Sequence, residues 1–165
     1  GDGDRFASRI AAIREREPEA AFRSNFIVGY PGETEDDHDQ LLEFVESVRL
    51  DWCGFFPFSR EEGTHAATLD NQVPDGLVAE RLGELTELQD RMTWAKRDEM
   101  IGSVVEVLVD SPGVGRTWRE APEIDGIVNL PTALSQGSFA TVKIVDALGP
   151  DLVAEGASVT EDGQS

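Results

Sequence analysis

The residues best placed to bind a ligand lie at positions 25–34, which read Asn-Phe-Ile-Val-Gly-Tyr-Pro-Gly-Glu-Thr. The apolar, β-branched run predicts a buried parallel strand that breaks at Gly29. Pro31 and Gly32 then force a tight turn, and Thr34 caps a helix with an acidic first turn. Loops at the carboxyl ends of parallel strands line ligand sites, and glycine lets a bound molecule approach the backbone. The chemistry predicted here is binding, and a purely structural βα turn is the alternative.

The residue types that bind metals or act as nucleophiles are few. Cys53 is the only cysteine, so it can neither form an internal disulfide nor hold a metal cluster alone, and an intracellular, reducing compartment is expected. His38 falls on an acidic helix and His65 in a loop, with no cysteine near either. Both are predicted to be surface residues, and the sequence predicts no metal site and no catalytic residue.

The first part of the chain alternates helices and strands. Helices are predicted over residues 4–17 and 34–48, and strands over residues 22–29 and 52–58. This alternation predicts a parallel sheet with right-handed crossovers. Two strands cannot form a stable sheet alone, so we expect this region to belong to a larger sheet or to pair with something outside the chain.

The pattern changes at Gly102. A long helix over residues 75–100, with an apolar residue every three or four positions, precedes this point. Apolar runs between Gly and Pro turns predict strands over residues 103–110, 115–119, 126–130, 139–145 and 152–155. Five short strands predict a small, separate antiparallel β-barrel. The predicted domains are therefore residues 1–100 and 101–155, followed by a disordered tail over 156–165.

The composition restricts the partners. The 165 residues carry a formal charge of −19, with 33 acidic and 14 basic side chains. Such an excess repels a phosphate backbone and favours a basic protein partner, or solubility alone. No apolar run reaches transmembrane length and no secretory signal opens the chain, so we expect a cytoplasmic location and no membrane partner. The opening Gly-Asp-Gly-Asp resembles the interior of a longer sequence.

Four stretches, in their order and spacing, resemble one enzyme family. They are SNFIVGYPGET at 24–34, GFFPFSREEGT at 54–64, DNQVP at 70–74 and APEIDG at 121–126. Together they resemble the carboxyl-terminal half of the radical S-adenosylmethionine methylthiotransferases. The EEGT ending and the APEIDG run are similar to the RimO branch, which methylthiolates an aspartate of a small-subunit ribosomal protein. The transfer-RNA (MiaB-like) branch usually shows Ser-Pro-Arg-x-Gly-Thr in the second stretch.

The resemblance implies an α/β fold in two parts. Residues 1–100 would be the last strands and helices of a radical SAM barrel, a partial TIM-like barrel, with a linking helix. Residues 101–155 would be a TRAM domain, an OB-like five-stranded barrel that holds the substrate macromolecule. The family uses S-adenosylmethionine and two 4Fe–4S clusters held by cysteines. The Cys-x-x-x-Cys-x-x-Cys motif is not in this chain, so the segment carries no cluster ligands and is predicted to be inactive alone.

The resemblance also implies cofactor contacts. Ile27 and Gly29 match family positions that flank the adenine of S-adenosylmethionine, where a branched side chain packs on the purine and glycine leaves room for it. Ordinary barrel core is the alternative. Glu33 matches an acidic residue after the turn, for which holding the loop through backbone N–H groups is favoured over catalysis. The predicted cofactor-binding residues are Asn25, Ile27, Gly29, Phe56 and Phe58.

Acidic residues are predicted to dock the substrate. TRAM domains commonly bind RNA through basic and aromatic side chains, but from Gly102 onward 3 basic residues stand against 10 acidic ones. That balance favours a Lys/Arg-rich ribosomal protein over RNA. The alternatives are solvated loop residues for the first pair and a hairpin turn for the second. The predicted docking residues are Glu61, Glu62, Glu123 and Asp125.

The hypothesis that follows is the carboxyl-terminal part of a RimO-like aspartate methylthiotransferase. It would supply part of the S-adenosylmethionine wall and the substrate-docking barrel. A transfer-RNA methylthiotransferase is the rival within the enzyme class, and it would need a basic TRAM face. A non-catalytic binding module is the rival from another class, favoured by the missing cysteines for this chain in isolation.

Overall fold

The computed structural model describes residues 3–159. The chain divides between Met92 and Thr93 into two compact units, an amino-terminal α/β unit and a carboxyl-terminal β-barrel unit. The α/β class with a five-stranded barrel is therefore confirmed.

Helices and strands alternate in the first unit as the sequence predicts. The elements are α1 Gly3–Arg16, β1 Arg23–Val28, α2 Glu35–Val48, β2 Trp52–Pro57, a short 3-10 helix Ala66–Thr68, and α3 Asp75–Asp98, which continues into the second unit. The polar loop after β2 and the Pro74 helix start fall where the turn residues place them.

Strands β1 and β2 form a two-stranded parallel sheet, in register from Arg23 opposite Trp52 to Val28 opposite Pro57. Alternate residues of a strand point to opposite faces. Phe26 and Val28 face the core of this unit, which also contains Val45 and Leu85 from α2 and α3. Arg23, Asn25 and Ile27 therefore point to the face opposite the helices.

Helix α2 begins with a capping box. The Thr34 hydroxyl accepts a hydrogen bond from the Asp37 N–H at 3.2 Å, and the Asp37 carboxylate accepts one from the Thr34 N–H at 2.9 Å. The hydrogen bonds from the Thr34 side chain and backbone lower the pKa of Asp37 below its ordinary value. The start predicted from Thr34 is confirmed.

Five strands close the barrel of the second unit. They are β3 Val104–Ser111, β4 Val114–Arg116, β5 Val128–Asn129, β6 Phe139–Leu148 and β7 Asp151–Val159. Around the barrel the order is β3, β4, β5, β7 and β6. Alternate apolar residues such as Val105, Val107 and Val109 fill its interior with Ile144 and Leu152.

The predicted all-antiparallel arrangement is wrong, because β5 and β7 pair in parallel. The other neighbouring pairs are antiparallel. A closed ring of strands returns to its starting direction only if the number of antiparallel pairs is even. A closed barrel of five strands must therefore contain at least one parallel pair, and here it joins β5 to β7.

The last strand is longer than the sequence predicts. Strand β7 was expected to end at Glu155 but continues to Val159, so residues 156–159 are not part of a disordered tail. Gly156 has φ +61°, and the pairing register with β6 shifts between Glu155 and Ala157. Glycine at a left-handed bulge position interrupts the apolar alternation without ending the strand. The rest of the predicted tail, residues 160–165, lies outside the described residues.

A buried ion pair lies beside the barrel. Arg97 and Glu120 have side chains 3% and 0% exposed, with Nη2 and Oε1 2.5 Å apart. The Glu120 carboxylate also accepts hydrogen bonds from the Thr117 N–H and hydroxyl, and Arg97 donates to the Pro150 carbonyl. Removal of one partner from such a pair leaves a buried charge uncompensated, so the pair ties the barrel together. None of the described helices is long and apolar enough to cross a membrane.

We predict that Asp37→Asn weakens α2 at pH 7 and weakens it less at pH 3. The folded-state pKa of Asp37 lies below its ordinary 3.8, so its contribution is present above that pH and is lost as the pH falls through the folded pKa. Urea unfolding followed by helical circular dichroism at both pH values measures the difference. An equal gap between variant and parent at pH 7 and pH 3 would contradict the assignment.

Candidate functional site

One face of the β1–β2 sheet presents apolar side chains to solvent. Asn25 and Ile27 of β1 lie opposite Gly54 and Phe56 of β2 in the parallel register. Ile27 is 63% exposed and Phe56 is 52% exposed, although both lie within strands. We call this surface, formed by Asn25, Ile27, Gly54 and Phe56, the open face. Large apolar side chains exposed together are a common feature of binding surfaces, so this face is the candidate site.

Gly54 brings the polar and aromatic members of the open face together. A Cβ atom at Gly54 would lie 2.6 Å from Asn25 Oδ1 and 2.8 Å from Phe56 Cε2. The carboxamide and the ring therefore converge over the glycine. Three of the predicted cofactor-binding residues, Asn25, Ile27 and Phe56, thus share one surface.

The other two, Gly29 and Phe58, lie at the carboxyl ends of the strands. They line a cleft of about 540 Å³ with residues of α3 that include Val78 and Leu82. The Phe58 ring packs edge-to-face against Tyr30, with 5.3 Å between the ring centroids. The carboxyl-end loops therefore form a cleft beside the open face, at the position where parallel sheets bind ligands.

Gly29 is required for a reason that the sequence did not reveal. Its φ is +82°, and a Cβ atom there would lie 2.5 Å from Val78 Cγ2. The left-handed backbone and the close approach of α3 both demand glycine. The space beside it was expected to be left for a purine, but Val78 occupies it. Contact between Gly29 and a cofactor stays a prediction.

Glu33 holds the loop as expected. One carboxylate oxygen accepts a hydrogen bond from the Gly29 N–H at 2.8 Å. The other accepts one from Arg81 Nη1 of α3 at 2.7 Å. Farther along the loop, the Gly32 N–H donates to the Asn71 carbonyl at 2.9 Å. Glu33 therefore closes the turn onto Gly29, and the turn is bonded to groups outside it through Glu33 and Gly32.

Arg81 was missed by the sequence reasoning. Its side chain is 2% exposed, and Nη2 also lies 3.2 Å from Glu35 Oε2. Burial alone would lower the pKa of Arg81, but the hydrogen bonds and charges of Glu35 and Glu33 outweigh burial and raise it. The helical spacing could have indicated that Arg81 is buried. Arg81 follows Val78 by three residues and precedes Leu85 by four, on the buried stripe of α3.

The prediction that His38 is a surface residue is wrong. It is 4% exposed, and Nε2 lies 2.7 Å from Glu84 Oε2 of α3. Packing of α3 against α2 covers a position that the acidic sequence of α2 indicated was solvated. His65 is exposed, as predicted, and Cys53 is half-buried. Among residues 3–159 no group of three His, Cys, Asp or Glu side chains is arranged to hold a metal ion.

The predicted docking residues fall in two places. Glu61 and Glu62 are exposed in the loop after β2, where Glu61 accepts a hydrogen bond from the Ser59 hydroxyl. Glu123 is exposed at φ +64°. The Asp125 carboxylate accepts the Ala121 N–H at 2.7 Å, which is the turn-shaping contact considered as its alternative. A docking role for any of the four stays a prediction.

Comparison with known proteins shows a domain family and a group of enzymes to which this chain is similar. Residues 101–156 match the TRAM domain family. The chain is 47% identical, over 93% of its length, to the ribosomal protein uS12 methylthiotransferase RimO of Akkermansia muciniphila. The proteins of the same name from Streptomyces coelicolor and Moorella thermoacetica are 44% and 45% identical over 94% and 87% of the chain. Over most of its length the chain is similar to part of proteins named RimO.

The match covers part of these relatives. The chain spans about one third of their length, 34% of the protein in each of the three cases. It contains the TRAM domain and the α/β segment that precedes it. The other two thirds of each relative have no counterpart in this chain.

We predict that Gly29→Ala destabilises the amino-terminal unit by about 2 to 4 kcal/mol, because the Cβ atom adds backbone strain and a clash with Val78. Gly32→Ala is the matched control, since Gly32 also has positive φ, +89°, but nothing lies within 4 Å of its Cβ position. It should lose only the strain, about 1 to 2 kcal/mol. Urea unfolding measures both. Equal losses would show that the approach of Val78 contributes nothing.

Proposed function

We propose that this chain is the carboxyl-terminal part of a radical S-adenosylmethionine methylthiotransferase. The reaction adds a methylthio group to the β-carbon of an aspartate in ribosomal protein uS12. The names of the relatives, at 40–47% identity, support the enzyme class and the substrate protein. The resemblance of the Glu-Glu-Gly-Thr and Ala-Pro-Glu-Ile-Asp-Gly stretches to the RimO branch supports the aspartate.

The open face is proposed as part of the S-adenosylmethionine wall. An adenosyl group offers an apolar ring face and a polar edge, and the open face offers Ile27 and Phe56 side chains next to the Asn25 carboxamide. The residues present therefore fit the cofactor, with Gly29 and Phe58 at the rim. When bound, S-adenosylmethionine supplies the adenosyl radical and the methyl group. Ile27 and Phe56 would exclude water from the purine, and Asn25 would hydrogen-bond its edge.

The iron–sulfur clusters do not fit this segment. Each needs several cysteine thiolates, and Cys53 is the only cysteine of the sequence. The proposal therefore assigns cluster binding to the remainder of the parent protein. Within this chain, the proposed contributions are cofactor binding and substrate docking.

The observation that carries the choice of substrate is the pairing of the barrel's cations. Arg116 forms an ion pair with Asp110, and Arg119 lies over the Trp118 ring at 5.4 Å. Lys143 stands opposite Glu155 in the β6–β7 register. Each of these basic residues therefore has an acidic or aromatic neighbour that reduces its availability to a phosphate. The Glu123 side chain, in contrast, is exposed to solvent. A surface of this kind attracts a Lys/Arg-rich protein more strongly than a phosphate backbone.

The second candidate is a transfer-RNA methylthiotransferase. Two exposed aromatic residues of the TRAM barrel favour it, Trp118 at 52% and Phe139 at 47%, because aromatic side chains stack on unpaired bases. It requires phosphate contacts that the paired cations supply poorly. Binding data distinguish the two candidates.

We predict that the 165-residue chain binds uS12 and not a transfer-RNA anticodon stem-loop. Calorimetric titrations at about 50 and 200 mM salt would show saturable binding to uS12 that weakens as the charges are screened. Glu123→Lys should weaken that binding about three- to tenfold. Asp146→Lys, the same charge change at another exposed acid of the barrel, is the matched control. RNA binding without uS12 binding would reject the proposed substrate in favour of the second candidate.

A further inference from the structure

The loop at the end of β1 is connected to α3 through one carboxylate. Glu33 uses one oxygen for the Gly29 N–H and the other for Arg81 Nη1, at 2.8 and 2.7 Å. Hydrogen bonds of charged groups are the stronger ones, and a carboxylate bonded at both oxygens cannot rotate freely. The direction of the Gly29 N–H is therefore set by the position of Arg81.

Helix α3 contacts the same loop at a second point. Val78 fills the space at the Gly29 Cβ position, and it lies three residues before Arg81 on the same face of the helix. The contact with Val78 and the hydrogen bond to Glu33 together restrict the position of Gly29. Since Gly29 directly follows β1, these contacts also fix where the end of β1 points, two residues after Ile27.

Arg81 stays charged in its buried position. Its guanidinium is 2% exposed, with Glu33 and the more exposed Glu35 as its ionic partners. Loss of the guanidinium would leave Glu33 held by the Gly29 N–H alone, in a partly buried position without a counter-charge. The carboxylate would then turn toward water and release the Gly29 N–H.

We infer that Arg81 is a positioning residue for S-adenosylmethionine binding, acting through Glu33 on Gly29 and the adjoining end of β1. The inference rests on the proposed function, because it takes the open face and its rim as the cofactor wall. Arg81 itself would contact no cofactor atom. It sets the backbone against which the cofactor lies.

The first test measures the Gly29 amide in the 165-residue chain. Hydrogen exchange by nuclear magnetic resonance should be about tenfold faster at Gly29 in Arg81→Met. The Asp51 N–H, which donates to the Phe22 carbonyl at 2.9 Å in the same unit and far from the Gly29 peptide, is the internal reference and should not change. Equal acceleration at Gly29 and Asp51 would show a general loss of stability and would overturn the inference.

The second test measures S-adenosylmethionine affinity in a longer RimO-type protein that carries this chain. Arg81→Met should raise the dissociation constant about tenfold, and Arg81→Lys, which keeps the charge, should restore part of the affinity. Arg91→Met, the same change at an exposed arginine of α3, is the matched control. Arg81→Lys also serves if Arg81→Met does not fold.

The two ways of failing are distinct. A folded Arg81→Met protein that binds S-adenosylmethionine as tightly as the parent would overturn the positioning role and leave the proposed function intact. A parent protein without affinity for S-adenosylmethionine would contradict the proposed function itself, whatever the variants do.

Discussion

The Glu33 carboxylate connects the loop after β1 to α3 in the amino-terminal unit. One oxygen accepts a hydrogen bond from the Gly29 N–H, and the other accepts one from Arg81, which lies 48 residues after Glu33 in the chain. The Asn71 carbonyl, in a residue with φ +62°, bonds the same turn at Gly32. The stretch that resembles a family motif at 70–74 thus has a physical role in holding the β1–α2 loop. A loop fixed at both ends has little conformational entropy left to lose when a ligand binds.

The barrel unit is governed by a constraint of closure. Five strands form a ring, so one neighbouring pair must be parallel, and the β5–β7 pair meets that requirement. Parallel and antiparallel pairs have different hydrogen-bond patterns. Because β5 has only two residues, the parallel pairing involves few hydrogen bonds. The buried Arg97–Glu120 pair and its bonds to Thr117 and Pro150 add contacts outside the ladder.

Much of the fold could be predicted from the sequence because local signals agree with it. The β-branched run before Gly29, the Thr34–Asp37 capping box and the apolar stripe of α3 each specify one element, and parallel pairing followed from their alternation. Predictions failed where tertiary contacts decide the outcome. His38 is polar on a polar helix, yet α3 covers it; Gly156 interrupts a pattern, yet the strand continues. Arg81 was not predicted to lie in the core, because the periodicity considered was that of apolar residues and Arg81 is charged.

The candidate site was predicted in part. Asn25, Ile27 and Phe56 do share one surface, because strand alternation and parallel register are both readable from the sequence. The close approach of Val78 to Gly29 was not predicted, because it depends on how α3 packs. Acidic residues proposed for docking are distributed over the two units, and Asp125 has a turn contact of its own. The sequence therefore indicated the candidate surface better than it indicated how the loop beside it is held.

We propose that the open face contacts the adenine of S-adenosylmethionine. Photochemical crosslinking of an azidoadenine analogue of the cofactor to a longer RimO-type protein carrying this chain tests it most directly, with the labelled peptides located by mass spectrometry. We expect label on peptides that contain Ile27 or Phe56, and loss of that label when unmodified S-adenosylmethionine is added in excess. Competed label found only on peptides outside β1, β2 and their carboxyl-end loops would contradict it.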